Sequence, residues 1–203
     1  MDLRRTKAII EAVLMVADSS VTPGKLVSLI DGITGREVRN AVDALKREYA
    51  ESDRAFTVVE VAGGYRISTL KEYAPWVKKL QRDRIPTKLS QAALEALAIV
   101  AFRQPVIRSE IENIRGVNSG GVLRTLMERN LIRIAGRSDG VGRPLLYGTT
   151  KEFLSYFGLK SIADLPKPKE LEELLKEGEQ KFLQNQTEQI SGESWGRIEA
   201  EVR

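Results

Sequence analysis

Apolar residues recur at helical spacing in two similar stretches of the chain. Residues 8–17 (AIIEAVLMVA) align with residues 92–101 (AALEALAIVA), and each stretch is apolar around most of its circumference. Each is followed by a turn containing a proline and then by two further segments with apolar residues three or four positions apart. This spacing is typical of helices that bury one face. The pattern therefore predicts an internal repeat in which each copy opens with three helices.

The third helix of each copy is predicted to begin at a polar capping residue. Thr34 stands three positions before Glu37, which is the spacing of a capping box. Asn118 is a favourable cap for the corresponding helix of the second copy. Both residues precede an apolar run at helical spacing, so two helix starts are expected there.

A β-hairpin is predicted after each third helix. In the first copy, apolar residues alternate on both sides of a two-residue turn placed at Gly63 and Gly64. These alternating residues are Val59, Val61, Tyr65 and Ile67. In the second copy, residues 131–135 are expected to pair with residues 145–149 across a longer loop. Three helices followed by a hairpin form a winged helix-turn-helix.

The predicted fold class is mainly α with small β wings (α+β), built from two tandem winged-helix domains. We place the first domain at residues 1–84 and the second at residues 85–165. Residues 70–87 are expected to hold a short helical stretch and a connector, and the second domain to close with a helix ended by Gly158. Residues 166–203 begin with a Pro-Lys-Pro-Lys break and are predicted to form a flexible acidic tail.

Composition excludes most familiar kinds of active site. The chain contains no Cys and no His, which removes thiol nucleophiles, disulfides, imidazole bases and the usual zinc ligands. No supported carboxylate pair and no phosphate-binding glycine loop stands out. We therefore expect a protein that is not an enzyme, with no catalytic residue, no metal and no cofactor.

The chain is predicted to be a soluble, cytoplasmic protein without a membrane partner. No apolar run approaches the roughly 20 residues that span a bilayer, and the N-terminus lacks the pattern of a signal peptide. The 32 Lys and Arg against 28 Asp and Glu give a net charge of +4. This mild excess permits contact with nucleic acid without requiring it.

The opening helices carry more apolar surface than a small three-helix core covers. One interpretation is that the wing, the connector or the closing helix covers the remainder. The other is subunit contact, in which the first opening helix forms a homodimer. The residues assigned to this predicted dimer interface are Ile9, Ile10, Val13, Leu14 and Ala17.

The charged residues leave two further interpretations open. Basic residues on each third helix are offset by acidic neighbours, so these helices are either solvated faces or a weak DNA-reading surface. The second wing, residues 137–143, is a glycine-containing basic loop. It is either a solvated turn or a contact for phosphates or for the carboxylates of a partner.

Several motifs of the second copy are more specific. They are LEALAIVAFRQP at residues 94–105, RGVNS at 115–119, VLRTL at 122–126, GRPLLYGTT at 142–150 and YFGL at 156–159. Together they resemble the segregation and condensation protein B family of bacteria. The resemblance is strong over about residues 90–165 and looser over the first copy, where it rests on the order of the elements.

The resemblance implies a non-enzymatic accessory subunit of the bacterial condensin, acting in chromosome condensation and partition during cell division. It implies a homodimer held by the first winged helices. The second winged helices would grip a kleisin subunit, segregation and condensation protein A, which closes an SMC ATPase ring. Location at the nucleoid is expected, with at most weak, non-specific DNA binding. The alternative function is a dimeric winged-helix transcription regulator that binds operator DNA.

Two candidate contacts for the kleisin follow from the resemblance. The first is one face of the second opening helix, with Leu94, Leu97, Ala98 and Phe102. The second is the wing, with Arg137, Arg143 and Tyr147, although Tyr147 is equally compatible with a place in the core. Ile107 stands where the family pattern leads us to expect a capping Thr or Ser, so the second helix of this copy is expected to take its cap from Ser109.

Overall fold

The computed structural model describes residues 2–80, 89–167 and 170. The chain divides into two compact units, residues 1–163 and 164–203. The architecture below is that of the first unit, whose described parts are called the first half (residues 2–80) and the second half (residues 89–163). Most of the predicted acidic tail lies outside the described residues.

The first half consists of three helices and a hairpin. Its elements are α1 (Leu3–Val16), α2 (Pro23–Leu29), α3 (Gly35–Glu51), β1 (Phe56–Val61) and β2 (Gly64–Thr69). Helix α3 is central, because α1, α2 and β1 all pack against it. The core gathers one apolar stripe from each helix together with two residues of the hairpin. Its fully buried side chains include Ile10, Leu26, Val38, Val42, Leu45 and Val58.

The turn of the first hairpin lies one residue earlier than predicted. The side of the hairpin that packs into the core therefore carries Val58 with Tyr65 and Ile67, and not the predicted Val59. Val61 pairs with Gly64, so the two turn residues are Ala62 and Gly63, both with positive φ (52° and 72°). Gly64 itself belongs to β2, and its lack of a side chain serves a different purpose. A Cβ at Gly64 would lie 2.7 Å from the carbonyl oxygen of Val21.

That close approach comes from a bridge that sequence analysis did not predict. Val21 donates its N–H to the Tyr65 carbonyl at 2.8 Å and accepts from the Tyr65 N–H at 2.9 Å. The segment between α1 and α2 is thereby attached to the hairpin. Gly64 is the residue that lets the two backbones come this near.

The predicted helical stretch of the connector is confirmed. A 3₁₀ turn at Lys71–Tyr73 leads into α4 (Ala74–Leu80). Residues 81–88 of the connector lie outside the described residues.

The second half follows the same order of elements with one added strand. Its elements are α5 (Gln91–Arg103), β3 (Val106–Ile107), α6 (Arg108–Arg115), α7 (Gly120–Glu128), β4 (Ile132–Arg137), β5 (Leu145–Thr149) and α8 (Lys151–Phe157). The strands form a sheet in the order β3-β5-β4. The predicted pairing of the second hairpin is confirmed, with an irregular register between Ile134 and Gly136. Strand β3 takes the place that the Val21 bridge takes in the first half.

Two helix starts differ from the predictions and one agrees with them. The capping box of α3 is confirmed, since Glu37 accepts the N–H of Thr34 at 2.7 Å while Thr34 accepts the N–H of Glu37. Hydrogen bonds from Thr34 lower the pKa of Glu37. Helix α6 begins after Ile107, whose N–H is accepted by Glu110, so Ser109 is not its cap.

Helix α7 begins after Ser119, one position later than the predicted cap. Asn118 nevertheless accepts the N–H of Gly120 at 3.0 Å through its side-chain oxygen. The predicted end of the closing helix is confirmed, because α8 stops at Gly158 with a φ of 68°. Over the part of the chain that is described, no helix is long and apolar enough to cross a bilayer.

We expect Gly64→Ala to destabilise the protein by about 1–3 kcal/mol, because the new methyl group meets backbone atoms that side-chain rotation cannot move away. Gly24→Ala is the matched control. Gly24 lies in α2 with open space around its Cβ position, so this change should be neutral or stabilising by up to about 1 kcal/mol. Urea unfolding followed by circular dichroism measures both variants. Equal stability of Gly64→Ala and the unaltered protein would contradict the steric role of Gly64.

Candidate protein-binding surfaces

The first half carries an apolar groove between the end of α1 and α2, here called the α1–α2 groove. Its volume is about 520 Å³, and Lys25 is its one charged lining residue among those described. The apolar lining residues are Ala12, Val13, Val16, Ala17, Val21 and Leu29. Val16 is 83% exposed. An open apolar surface of this kind on a soluble domain is typical of a protein contact.

The groove exists because α1 is apolar on more than one side while its neighbours cover only one. Thr6, Ile10 and Leu14 form the buried stripe of α1. Helix α2 has only seven residues and a single buried side chain, Leu26. A helix this short leaves the last turn of α1 uncovered.

The five residues of the predicted dimer interface lie in different environments in the structure. Ile10 and Leu14 lie in the core, so the prediction that they offer free surface is wrong: packing against α3 and the hairpin encloses their stripe of α1. Ile9 and Val13 are half-buried and pack against the edge of the same core. Val13 and Ala17 also line the α1–α2 groove.

Three of the four predicted contact residues on α5 form an exposed row, here called the α5 stripe. Leu94, Ala98 and Phe102 are spaced four residues apart, so they lie on one side of the helix. All three are exposed, Phe102 by 45%. Leu97 lies beside this row, on the core-facing side of the helix, and is 1% exposed. Its predicted role in binding is therefore wrong, because it is part of the core.

A second concavity lies where α5 ends. It has a volume of about 420 Å³ and is lined by Arg103, Pro105, Val106, Glu110, Asn113 and Ile114. Ile114 is exposed on α6 and Arg103 on α5, and Arg103 makes no ion pair with any residue that the structure describes. Arg103 directly follows Phe102, so this concavity lies at the end of the α5 stripe, and it combines apolar side chains with the charges of Arg103 and Glu110.

The predicted wing residues have two different roles. Tyr147 is buried on the middle strand of the sheet, opposite Val106 and Ile134. It belongs to the core, as the alternative interpretation allowed, and does not offer its ring to a partner. Arg137 and Arg143 are exposed at the end of the hairpin, and the Arg137 guanidinium donates to the Arg143 carbonyl at 3.2 Å. Arg137 therefore helps to shape the loop whose surface it shares with Arg143.

A buried arginine that sequence analysis missed joins three helices of the second half. The Arg115 side chain is 6% exposed. Its Nη1 donates to the Ser119 hydroxyl at 2.8 Å, and its Nη2 lies 3.3 Å from Glu95 Oε2 on α5. Its Nε has no hydrogen-bond partner among the residues that the structure describes. The motif RGVNS contained both Arg115 and Ser119 but gave no sign that they contact each other.

Glu112 completes this connection from the other side. Its Oε1 accepts the N–H of Ser119 at 2.9 Å and the Nε–H of Arg108 at 2.8 Å. The hydrogen bond from the Ser119 backbone, followed by that from Arg108, lowers the pKa of Glu112. The start of α7 is thus held by two charged side chains of α6, and α6 is in turn tied to α5 through Glu95.

Among the described residues, no group of three or more Asp, Glu, His or Cys side chains is placed to hold a metal ion. The α1–α2 groove and the α5 stripe are mainly apolar, the adjoining concavity is lined by both apolar and charged residues, and the wing is basic. Such surfaces bind protein segments, since apolar side chains provide binding energy and charges at the rim set orientation.

Comparison with known proteins assigns the chain to a family. Residues 8–168 match the family described as segregation and condensation complex subunit ScpB. The match covers well over half of the chain. The chain belongs to this family. The resemblance that the motifs of the second half indicated is thereby confirmed.

Individual relatives of the ScpB family agree over most of their length. Segregation and condensation protein B of Syntrophotalea carbinolica is 49% identical over 179 residues, which cover 88% of this chain and 90% of the relative. The protein of the same name from Brevibacillus brevis is 45% identical over 168 residues, covering 83% and 87%. These proteins are named as segregation and condensation subunits, and not as enzymes.

A solved structure is also similar to part of the chain. It is described as a dimer of the ScpB N-terminal domain complexed with ScpA peptide. It shares 28% sequence identity with this chain and covers 38% of it and 96% of its own length, with a TM-score of 0.36.

We expect Arg115→Met to destabilise the protein by about 1–2 kcal/mol, because it removes the hydrogen bonds to Ser119 and Glu95 that are made by a nearly buried guanidinium. Arg124→Met is the matched control. Arg124 is 80% exposed and pairs with Glu128 on the surface of α7, so its loss should change stability by less than about 0.5 kcal/mol. Urea unfolding compares the two variants. Equal effects would contradict a structural role for the buried arginine.

Proposed function

We propose that this protein is a non-enzymatic subunit of a bacterial SMC–kleisin condensin, which binds the kleisin as a homodimer and supports chromosome condensation and partition during cell division. The observation that carries the proposal is that each half of an ScpB-family chain presents its own exposed apolar surface. A subunit that binds both its own copy and a second protein needs two such surfaces. The complex acts at the nucleoid, in the cytoplasm, and its ATPase activity belongs to the SMC partner.

Each half is interpreted as a winged helix-turn-helix domain. Support comes from the repeated order of three helices and a hairpin, and from the attachment of the segment before the second helix to the last strand in both halves. The domains span residues 1–84 and 85–165. Residues 166–203 are assigned to the proposed acidic tail.

The α1–α2 groove is the proposed dimer interface. Val13 and Ala17 keep the role assigned to them from the sequence, and Ile9 packs at the same end of the domain as part of its support. Val16 adds the most exposed apolar side chain of the groove. The same groove on a second copy makes a self-complementary contact, which is how twofold dimers are built.

The α5 stripe and the adjoining concavity are the proposed contact for the kleisin. Leu94 and Phe102 offer two apolar anchors on a rigid helix, and Arg103 offers a cation at the rim. An amphipathic helix of the partner with an acidic residue near its end fits this combination. The wing with Arg137 and Arg143 is a second, electrostatic contact.

Sequence-selective DNA binding receives less support than protein binding. The third helix of the second half would have to present free basic side chains to base edges. Its Arg124 instead lies 2.9 Å from Glu128 on the same helix. We therefore expect at most weak, non-specific DNA binding.

We expect Val16→Asp to convert the dimer into a folded monomer, because it places a charge in the α1–α2 groove without entering the core. Sedimentation equilibrium measures the mass, and circular dichroism confirms the fold. Val141→Asp is the control, since Val141 is also a highly exposed valine, at the end of the second hairpin, and its change should leave the dimer intact. Leu14→Glu is unsuitable because Leu14 is buried. A Val16→Asp protein that is still dimeric would place the interface elsewhere.

We expect Leu94→Asp combined with Phe102→Asp to weaken binding of the kleisin's central segment at least about tenfold, the loss of one to two buried anchors. Isothermal titration calorimetry with that segment, encoded in the same genome, measures the affinity. Ile134→Asp is the control, because Ile134 is a similarly exposed apolar residue of the second half.

The pair Arg137→Glu and Arg143→Glu tests the wing in the same assay and should reduce affinity to a smaller extent. One result would overturn the adaptor function. If the α5 and wing variants both keep full kleisin affinity, and the wing variant abolishes sequence-selective DNA binding, the protein is a winged-helix regulator instead.

A further inference from the structure

A short segment after α8 contacts the turn of the first hairpin, which lies far away in the sequence. The N–H of Ala62 donates to the carbonyl of Leu159 at 2.8 Å, and the N–H of Gly63 donates to the carbonyl of Lys160 at 2.9 Å. The Lys160 ammonium lies 3.4 Å from Glu60 Oε2 on β1. We call residues 159–160 the strap and residues 60–63 its receptor.

The receptor is formed by the hairpin alone. Ala62 and Gly63 both have left-handed backbone conformations, so their successive N–H groups point away from the hairpin, where a pair of carbonyl oxygens or an anion can accept them. Ala62 is 5% exposed although it sits at the tip of a hairpin. That burial indicates that the strap covers the tip.

The strap is also shaped by its own local structure. Gly158, with a φ of 68°, ends α8 and turns the chain. The N–H of Leu159 then donates to the carbonyl of Leu154 at 2.9 Å. This hydrogen bond commits the amide side of Leu159 to α8 and leaves its carbonyl for Ala62. The backbone conformations of the strap and of the receptor are therefore each set by local structure and do not depend on their contact with each other.

The ion pair between strap and receptor is open to water, whereas Val61 and Ala62 of the receptor are buried. The side chains of Glu60 and Lys160 are 41% and 62% exposed, so dissolved salt screens their attraction. Water can replace the two backbone hydrogen bonds when the strap leaves.

We propose that residues 159–160 are a releasable strap that closes on the Ala62–Gly63 turn and so switches the two halves between a fixed and an independent arrangement. The strap contact stands independently of any partner. Its consequence rests on the proposed function: the α1–α2 groove and the α5 stripe are on different halves, so the closed strap presents them at one fixed separation.

Pulsed electron paramagnetic resonance on the full chain tests the strap. The chain has no cysteine, so Asn40→Cys on α3 and Arg133→Cys on β4 place one spin label on each half at exposed positions. An excess of unlabelled protein restricts the signal to distances within one molecule. Lys160→Glu replaces the ion pair with repulsion between two carboxylates, at positions 60 and 160. The double variant Glu60→Lys with Lys160→Glu reverses both charges and restores the attraction. Lys151→Glu, on the exposed start of α8, makes the same charge change elsewhere.

In the labelled chain without further changes, we expect one narrow principal distance between the two labels. Lys160→Glu should reduce the population at that distance at least threefold, and the double reversal should restore it. Lys151→Glu should leave it unchanged. High salt should reduce the narrow population in the unaltered chain. A distribution that Lys160→Glu leaves unchanged, or that the double reversal fails to restore, would overturn the strap. Failure of the proposed function would instead appear in the calorimetry and sedimentation results, with these distances unaffected.

Discussion

Burial of one side of each opening helix is the constraint on which the rest of the structure depends. Helices α1 and α5 are apolar on nearly every side, yet the other elements of each half enclose only one stripe of them. Ile10 and Leu97 are enclosed, while Val16 and Phe102 on other sides of the same helices stay in water. The exposed apolar area is thus a direct result of having more apolar helix than a small domain can cover. Part of it lies on these two helices, and other exposed apolar side chains lie elsewhere, such as Trp76 on α4 and Tyr156 on α8.

The order and type of the elements could be read from the sequence because their causes are local. Helical spacing of apolar residues, the Thr34 and Glu37 capping box and the alternation around the first hairpin depend on residues within a few positions of each other. Because the two copies share one order of elements, the prediction for each copy supported the prediction for the other. The closing helix and its glycine end were readable for the same reason.

Other features depend on residues that are far apart, and these could not be predicted. Which stripe of α1 is buried depends on where α3 lies, so Ile10 and Leu14 could not be told from Val13 in a helix that is apolar all round. Gly64 resembles a turn glycine, but its role is to give space to Val21. The sequence did not decide whether Tyr147 lies in the core or on the surface, because that depends on the pairing of β3 with its strand. The sequence did not distinguish Arg115 from a surface arginine, because its contacts with Ser119 and Glu95 form only in the folded chain.

The edge of the second sheet bears on how copies of this chain assemble. Strand β4 has one partner, β5, so its other side has backbone groups that another strand can pair with. Two features make it a poor template: the register shifts between Ile134 and Gly136, and charged Arg133 and Arg137 stand along it. A strand from a neighbouring molecule would have to match an irregular, positively charged ladder. Extension of the sheet through this edge, which could continue without limit into fibres, is therefore disfavoured.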